Sequence, residues 1–491
     1  MTRRSAVRSG VVTSFSYVVL SIAGALAGVY LAHKFGRNTD TDGFLAAYGV
    51  YLVLVFGAQA FRMVVVPDLT RAEAEGRLAP EFTAYAIAFL LLGVPATILV
   101  AAFPHFFGEL VTGRLPARAT EIAGSALVWI VPAAFAQLLA ALAASALAAR
   151  DSYASAAAGF ALGGLTSLVV FVLAADQHGL IALAWGLAAN GAIALAIPLI
   201  ALIVRGGRLR HLTGGAGTFA VRKRLWRLTT GASVPIAVQV LYLMALRFAG
   251  ATGEGNVTSL SYAYLLAATF VTATAFSLSL ISAAPLTRRG LDPDTAAEHV
   301  VHSGWVSLAL VGAGAGIVAI IGGPVVGAVL GHAFSGKVGD QLGQLVVYLS
   351  PWMVGSAAFS ITYPLLFVTH RTRLLLPIAA AVIVIDVPIS IAARAWAGLN
   401  GVAVALGIST LLLVFALMYA LAPRMLGLSV VGLGRLAVIV GAATALAFGG
   451  ASLLLGAVPA AVLGACVYAL LLVAVRQFGL SDAWHYVRAL H

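Results

Sequence analysis

The sequence is divided into fourteen apolar runs, each about as long as the ~20 residues that an α-helix needs to cross a bilayer. Only 9% of the 491 residues are charged, whereas soluble domains typically carry ~25%. Backbone polar groups in lipid must be hydrogen-bonded within the chain, so each run is expected to be a helix. We therefore predict an all-α polytopic membrane protein with about 14 transmembrane helices. The runs cover 11–33, 43–66, 82–104, 122–148, 153–175, 180–204, 228–249, 257–284, 300–321, 342–368, 373–396, 401–422, 432–455 and 457–475.

The charged residues orient these spans. With fourteen spans and the N-terminus inside, 22 of the 29 lysines and arginines fall on the cytoplasmic side, as the positive-inside rule requires. We therefore expect both termini in the cytoplasm. Arg3, Arg4 and Arg8 precede a full-length span, so the first helix is expected to stay as an anchor. The net charge of +12 is spread over short loops rather than gathered in a basic domain, so we expect no nucleic-acid partner.

The two halves of the chain resemble each other at an offset of 217 residues. Gly36 then aligns with Gly253, and Leu69-Thr70-Arg71 aligns with Leu286-Thr287-Arg288. Parallel six-helix repeats of this kind are typical of transporters. We predict an N-lobe of six spans at 1–204, a basic cytoplasmic linker at 205–227 and a C-lobe of six spans at 228–422. Two additional spans and a cytoplasmic tail follow at 423–491.

The linker carries seven arginines and lysines and no acidic residue. Such a segment either contacts anionic membrane lipids or recruits an anionic lipid-linked substrate, and both interpretations stay open.

Asp386 is the most informative polar residue within a span. It lies near the middle of span eleven, where a lone carboxylate costs ~3 kcal/mol unless it is protonated, paired or hydrated. Ser390 lies one turn on, and Pro388 has no N–H for the carbonyl of Val384, which becomes a further candidate ligand. We predict either a coupling site for a sodium ion or a proton, or a structural acid satisfied by a neighbouring helix.

Five further polar residues are candidates for a substrate cavity. Gln239 and Tyr242 share a face of span seven at i, i+3, and Arg247 lies toward its outer end. Gln59 and Arg62 lie near the inner end of span two. The alternative for both arginines is snorkelling to the head groups, and buried amides more often hold helices together.

The start of the chain resembles a known family. The residues concerned are Phe35-Gly36, the run TDGFLAA at 41–47, Ala60-Phe61 and Val66-Pro67. They are similar to the opening of the MurJ-like lipid II flippases, of the multidrug/oligosaccharidyl-lipid/polysaccharide (MOP) exporter superfamily. The resemblance implies a bacterial cytoplasmic (inner) membrane protein with two lobes, a central cavity and alternating access. It also aligns Asp386 with a polar position that belongs to a sodium site in some MurJ-like proteins.

The chain departs from the family pattern in one respect. The pattern places arginines on spans one and two, where they meet pyrophosphate. This chain has Ser21, Ala27 and Gly28 on span one and only apolar residues at 53–56 of span two. The resemblance therefore leaves the substrate open between lipid II and another polyprenyl-linked sugar.

Together these observations predict a flippase that moves a polyprenyl-linked saccharide precursor of the cell envelope from the inner to the outer leaflet. The expected partners are the polyprenyl-phosphate-linked sugar, anionic membrane lipids and envelope-synthesis proteins. Two alternatives stay open, a cation-coupled exporter of small amphiphiles and a scaffold that has lost transport. The sequence has no Walker A loop and no plausible catalytic set, so we expect a transporter and not an enzyme, with no cofactor beyond the coupling ion.

Overall fold

The computed structural model describes residues 3–150, 152–205, 218–271, 293–368, 372–421, 423–424 and 426–475, and in this part of the chain every regular element is a helix. A π-helical segment, Ala445–Gly449, joins the fourteenth helix to the fifteenth. The α-helices are α1 (Arg3–Phe35), α2 (Thr39–Ala74), α3 (Leu78–Ala102), α4 (Pro104–Thr112), α5 (Ala117–Ala149), α6 (Ala154–His178), α7 (Ile181–Arg205), α8 (Thr218–Gly250), α9 (Asn256–Val271), α10 (Pro293–Leu330), α11 (Lys337–Tyr348), α12 (Ser350–Val368), α13 (Leu375–Leu421), α14 (Leu426–Thr444), α15 (Gly450–Leu454) and α16 (Ala457–Ala474).

Among these helices, 11 are long and apolar enough to cross a membrane, or 12 if the pair α11 and α12, bent by 43°, is one span. The 47 residues of α13 would extend about 70 Å, more than twice the ~30 Å of a bilayer core. Ala397 and Gly398 divide it, with Gly398 at φ 57, a conformation that glycine adopts most readily. This break falls where spans eleven and twelve were predicted to separate. The prediction of an all-α polytopic membrane protein is confirmed, while the count of fourteen stays a prediction because span eight extends beyond the described residues.

Contacts between helices divide the chain into two compact units, Met1–Val257 and Thr258–His491. In the first unit, α2 packs along both α5 and α8, and α6 packs along α7. Its buried core includes Leu69, Tyr85, Leu142 and Leu228. Helix α8 begins at Thr218, inside the predicted linker, and belongs to this unit. The division by contacts therefore lies one span later than the predicted lobe boundary, and the lobes stay a prediction.

The turn between α1 and α2 contains three polar residues that could cap α2, Asn38, Asp40 and Asp42. The N-cap is Asn38, whose side chain accepts a hydrogen bond from the Thr41 backbone. The Thr41 hydroxyl accepts from the Asn38 N–H in return at 2.9 Å, which completes a capping box. Both aspartates lie in the first turn of α2, where they still complement the helix dipole.

In the second unit, α10 packs against α14 and α16, around a core that includes Trp305, Leu436 and Tyr468. The π-helical segment places Phe448 between these helices. A Cβ atom added to Gly464 would lie 2.6 Å from the Phe448 ring, and one added to Gly316 would lie closer still. The wider π turn and the two glycines together make room for this ring.

We predict that Gly316→Val destabilises the second unit, because its side chain would overlap the Phe448 ring. Overpacking a close-packed interior typically costs ~1–3 kcal/mol, so the thermal unfolding temperature in detergent should fall by several degrees. Gly441→Val is the matched control, because a Cβ atom there meets nothing within 4 Å. An equal loss in both variants would show that Phe448 is not closely held.

Candidate functional site

Asp386 lies in the first half of α13, on the face that packs into the protein. Ala379, Val382, Asp386 and Ser390 are buried at the three- and four-residue spacing of one helix face. The chain then turns at Gly398, and the second half of α13 returns alongside. Ser409 on that half donates to the Asp386 Oδ1 atom at 2.6 Å, and Ser390 does so at 3.4 Å.

The second carboxylate oxygen is the unusual feature. Asp386 is only 1% exposed, and its Oδ2 atom has no hydrogen-bond partner in the described part of the chain. A buried carboxylate without a counter-charge is costly, so this oxygen needs either a proton or a cation. The described residues contain no cluster of three His, Cys, Asp or Glu that could hold a metal ion. The polar side chains that the described structure brings together here are one carboxylate and two serine hydroxyls.

The carbonyl of Val384 does not join this group. Residues two apart on a helix lie roughly 200° apart around the axis, and Val384 is 69% exposed while Asp386 is buried. The carbonyl that Pro388 leaves without its N–H partner therefore lies on the face away from the carboxylate. This geometry does not favour the Val384 carbonyl as a further cation ligand, and that role stays a prediction.

The candidates on span seven occupy two different environments. Gln239 is 8% exposed and Tyr242 is 1% exposed, and each makes a polar or ring contact within the protein. The Arg247 side chain is exposed and lies against Gly113, where an added Cβ atom would be 3.0 Å from the Arg247 Cγ and Nε atoms. Gly113 ends α4, so the guanidinium lies near the negative end of that helix dipole.

The candidates on span two are separate from these. Both lie on α2, but the side chain of Gln59 is outside the described part of the structure. Arg62 lines a pocket with residues of α1, α5 and α6, to which Gln239, Tyr242 and Arg247 do not contribute. The described cavity candidates are therefore not brought to one site, and their role in substrate binding stays a prediction.

A cluster of charges that the sequence analysis missed joins α2, α3 and α8. Arg227 donates to the Asp68 Oδ2 atom at 2.7 Å, and the Tyr85 hydroxyl donates to the same oxygen at 2.6 Å. Arg224 donates to Glu81 at 2.8 Å and its guanidinium lies 5.6 Å from the centre of the Tyr85 ring. Arg224 and Arg227 belong to the predicted basic linker, for which lipid contact and substrate recruitment were both left open, and here they pair with carboxylates. Residues 206–217 of that segment lie outside the described residues.

At the opposite end of α2, the turn before it contacts the loop that follows α8. The Gly255 N–H donates to the Asp42 Oδ2 atom at 2.6 Å, and Asp42 is fully buried. Arg37 donates to the Gly255 carbonyl at 2.9 Å and to the Asn256 Oδ1 atom at 2.7 Å. The TD pair of the family-like motif therefore has a structural role here, because its aspartate holds the loop before α9.

Glu254 adds to this contact. It accepts from the hydroxyl of Thr39 at 2.6 Å and from the Thr39 N–H at 3.1 Å, and these bonds lower the pKa of Glu254 below its ordinary value. Because the pKa is lowered, the Glu254 carboxylate contributes its full share of folding stability above the ordinary carboxyl pKa. That stability is lost as the pH falls through the lowered value.

We predict that Asp42→Asn loosens the loop before α9. The variant keeps the shape of the side chain but removes the charge that strengthens the bond from the Gly255 N–H, which is worth ~1 kcal/mol, or about fivefold. Hydrogen exchange of a peptide containing Gly255, measured by mass spectrometry, should speed up by about that factor. Asp40→Asn is the control, because Asp40 forms an exposed pair with Arg118. Unchanged exchange in Asp42→Asn would contradict the role of this carboxylate.

We also predict that Asp68→Asn lowers the thermal unfolding temperature of the protein. The carboxylate is 13% exposed and faces both Arg224 and Arg227. Breaking a buried ion pair costs ~3–5 kcal/mol, against ~0–1 kcal/mol for an exposed pair, so a loss between these values is expected. Glu75→Gln removes the exposed partner of Arg77 and should change little. Similar unfolding temperatures for the two variants would mean that the cluster does not stabilise the helix contacts.

No protein-family model matches the sequence, and no curated protein matches it. Solved structures are similar to it in fold. A structure described as lipid II flippase MurJ in an inward closed conformation has a TM-score of 0.75 at 15% identity, over 95% of this chain and 99% of that chain. An inward-facing multidrug resistance MATE family transporter of the MOP superfamily has a TM-score of 0.64 at 13% identity, over 85% and 95%. A MOP superfamily transporter from Pyrococcus furiosus has a TM-score of 0.56 at 15% identity, over 86% of this chain and 96% of that chain. The chain therefore has the fold of the MOP exporters, as the resemblance predicted.

Proposed function

We propose that this protein is a MOP-type flippase of the bacterial cytoplasmic membrane. Its substrate is a polyprenyl-linked saccharide precursor of the cell envelope, which it moves from the inner to the outer leaflet by alternating access. The observation that carries the proposal is the extent of the match to the flippase fold. That match is closer than the match to the drug exporters and takes in more of this chain.

The coupling ion acts at Asp386 in this proposal. A sodium ion or a proton neutralises the carboxylate, so that the helices around it can pack without a bare buried charge. The geometry supports this role, because Ser409 and Ser390 both hold one oxygen while the other has no partner in the described structure. Hydroxyl and carboxylate oxygens are suitable ligands for a hard cation. A wholly structural acid would be expected to have both oxygens satisfied.

The test is flipping of a fluorescent polyprenyl-phosphate sugar in proteoliposomes, with and without sodium and pH gradients. We expect wild-type flipping to respond to one of the gradients and Asp386→Asn to fold normally but lose that response. Ser409→Ala should shift the ion concentration that gives half the response, because it removes the closest donor to the carboxylate. Asp340→Asn is the control, since it removes an exposed carboxylate from the second unit. Wild type and Asp386→Asn responding alike would show that Asp386 is structural.

A cation-coupled exporter of small amphiphiles is the second candidate. Two observations favour it, the likeness to drug exporters in the MATE family and the apolar residues at 53–56 where the flippase pattern has an arginine. The same proteoliposomes, loaded with a cationic amphiphilic dye instead of the lipid-linked sugar, separate the two candidates. Movement of the dye alone would support the exporter. Movement of neither, with retention in a complex of envelope-synthesis proteins, would support a scaffold.

A further inference from the structure

The pocket that contains Arg62 lies inside the first unit, near the predicted inner end of span two. Arg62 follows Thr39, the first residue of α2, by about 35 Å of helix, slightly more than the ~30 Å of the bilayer core. Tyr153, directly before α6, and Ala144, near the end of α5, line the same pocket. These positions place the guanidinium at head-group level, on the predicted cytoplasmic side.

Arg62 lacks a counter-charge of the kind that two other arginines on this side have. Arg150 pairs with Glu73 at 3.1 Å, and Arg227 pairs with Asp68 at 2.7 Å. In the described part of the chain, Arg62 makes no hydrogen bond or ion pair. It is nevertheless partly buried, so protein on several sides replaces some of the water that would hydrate a snorkelling arginine.

The rest of the pocket suits an amphiphile. The Tyr153 hydroxyl has no hydrogen-bond partner within the described structure, so a second donor lines the same pocket. Leu20 and Phe160 form apolar walls, and Ala156 and Ala157 leave room between the helices. A phosphate ester is chemically complementary to the polar end, because a guanidinium binds phosphate oxygens in a bidentate manner, and an alkyl chain is complementary to the apolar walls.

We propose that this pocket binds the phosphate group of a lipid from the inner leaflet, through Arg62 and Tyr153, with the start of its chain against Leu20 and Phe160. The phosphate could come from a membrane phospholipid or from a polyprenyl phosphate. The chemistry is the same, and the site does not depend on the protein being a transporter.

The experiment is native mass spectrometry of the purified protein, titrated separately with phosphatidylglycerol, with undecaprenyl phosphate and with phosphatidylcholine. We expect Arg62→Gln to weaken tight binding of an anionic lipid by about tenfold or more, since a hydrogen bond to a charged group contributes ~1.5–3 kcal/mol. Arg62→Lys should bind with intermediate affinity, because it keeps the charge but loses the bidentate geometry. Ala157→Leu should also weaken binding, because it narrows the pocket and leaves the charge unchanged.

Arg71→Gln is the matched control. Arg71 lies on the same helix, is exposed and is absent from the pocket, so its loss changes the net charge equally. If Arg62→Gln weakens the binding of both anionic lipids while Arg71→Gln does not, the pocket is a general lipid-phosphate site. If Arg62→Gln weakens only the binding of undecaprenyl phosphate, the pocket is a site for the polyprenyl phosphate. Equal effects of Arg62→Gln and Arg71→Gln, or no effect of either, would overturn the proposal. A melting temperature close to wild type for each variant confirms that the affinities refer to folded protein.

Discussion

Two carboxylates of α2 hold α8 and the loop after it against the rest of the first unit. Asp68 lies near one end of α2 and binds Arg227 at the start of α8, while Asp42 lies at the other end and binds the Gly255 backbone beyond α8. Between these points the contact is apolar and close, because side chains of α8 lie against Gly49 and Gly57 of α2. A carboxylate in such surroundings is stable only while its partners remain in place. Charge-assisted bonds therefore hold α8 near both ends, and apolar packing against α2 holds it between them.

The helices could be predicted from the sequence because a bilayer permits little else. Length and hydropathy alone indicated the spans, and the break in α13 at Gly398 fell between two of them. Features that depend on local backbone geometry were harder to predict from the sequence. Asn38 rather than Asp40 or Asp42 caps α2, because the cap is decided by the dihedral angles of one residue and all three of these closely spaced polar residues suit the role. The bend between α11 and α12 comes directly before Pro351, a residue without the N–H that would continue the helix hydrogen bonds.

The candidate site shows the same division. The cost of a carboxylate in a span singles out Asp386 from the sequence alone. Its closest partner, Ser409, is 23 residues away, and pairing these two residues requires the register of two antiparallel helices that meet at an irregular turn. The charge cluster around Asp68 was missed for a related reason. Arg224 and Arg227 sit in a basic segment that suits lipid contact, and only the packing of α8 against α2 and α3 brings acidic groups to them.

Each unit contains a partly or fully buried charge without a counter-charge among the described residues, a carboxylate at Asp386 and a guanidinium at Arg62. Elsewhere, the partly buried Asp68 and the buried Asp42 are bonded by charged or backbone donors. Desolvating an unpaired charge is costly in either unit. A cation bound at the carboxylate, or an anion bound at the guanidinium, would lower that cost. If the ion enters and leaves, it does so for only part of the proposed transport cycle. The proposed ion site and the proposed lipid-phosphate site therefore depend on the same physical argument, the cost of desolvating a charge that has no permanent partner.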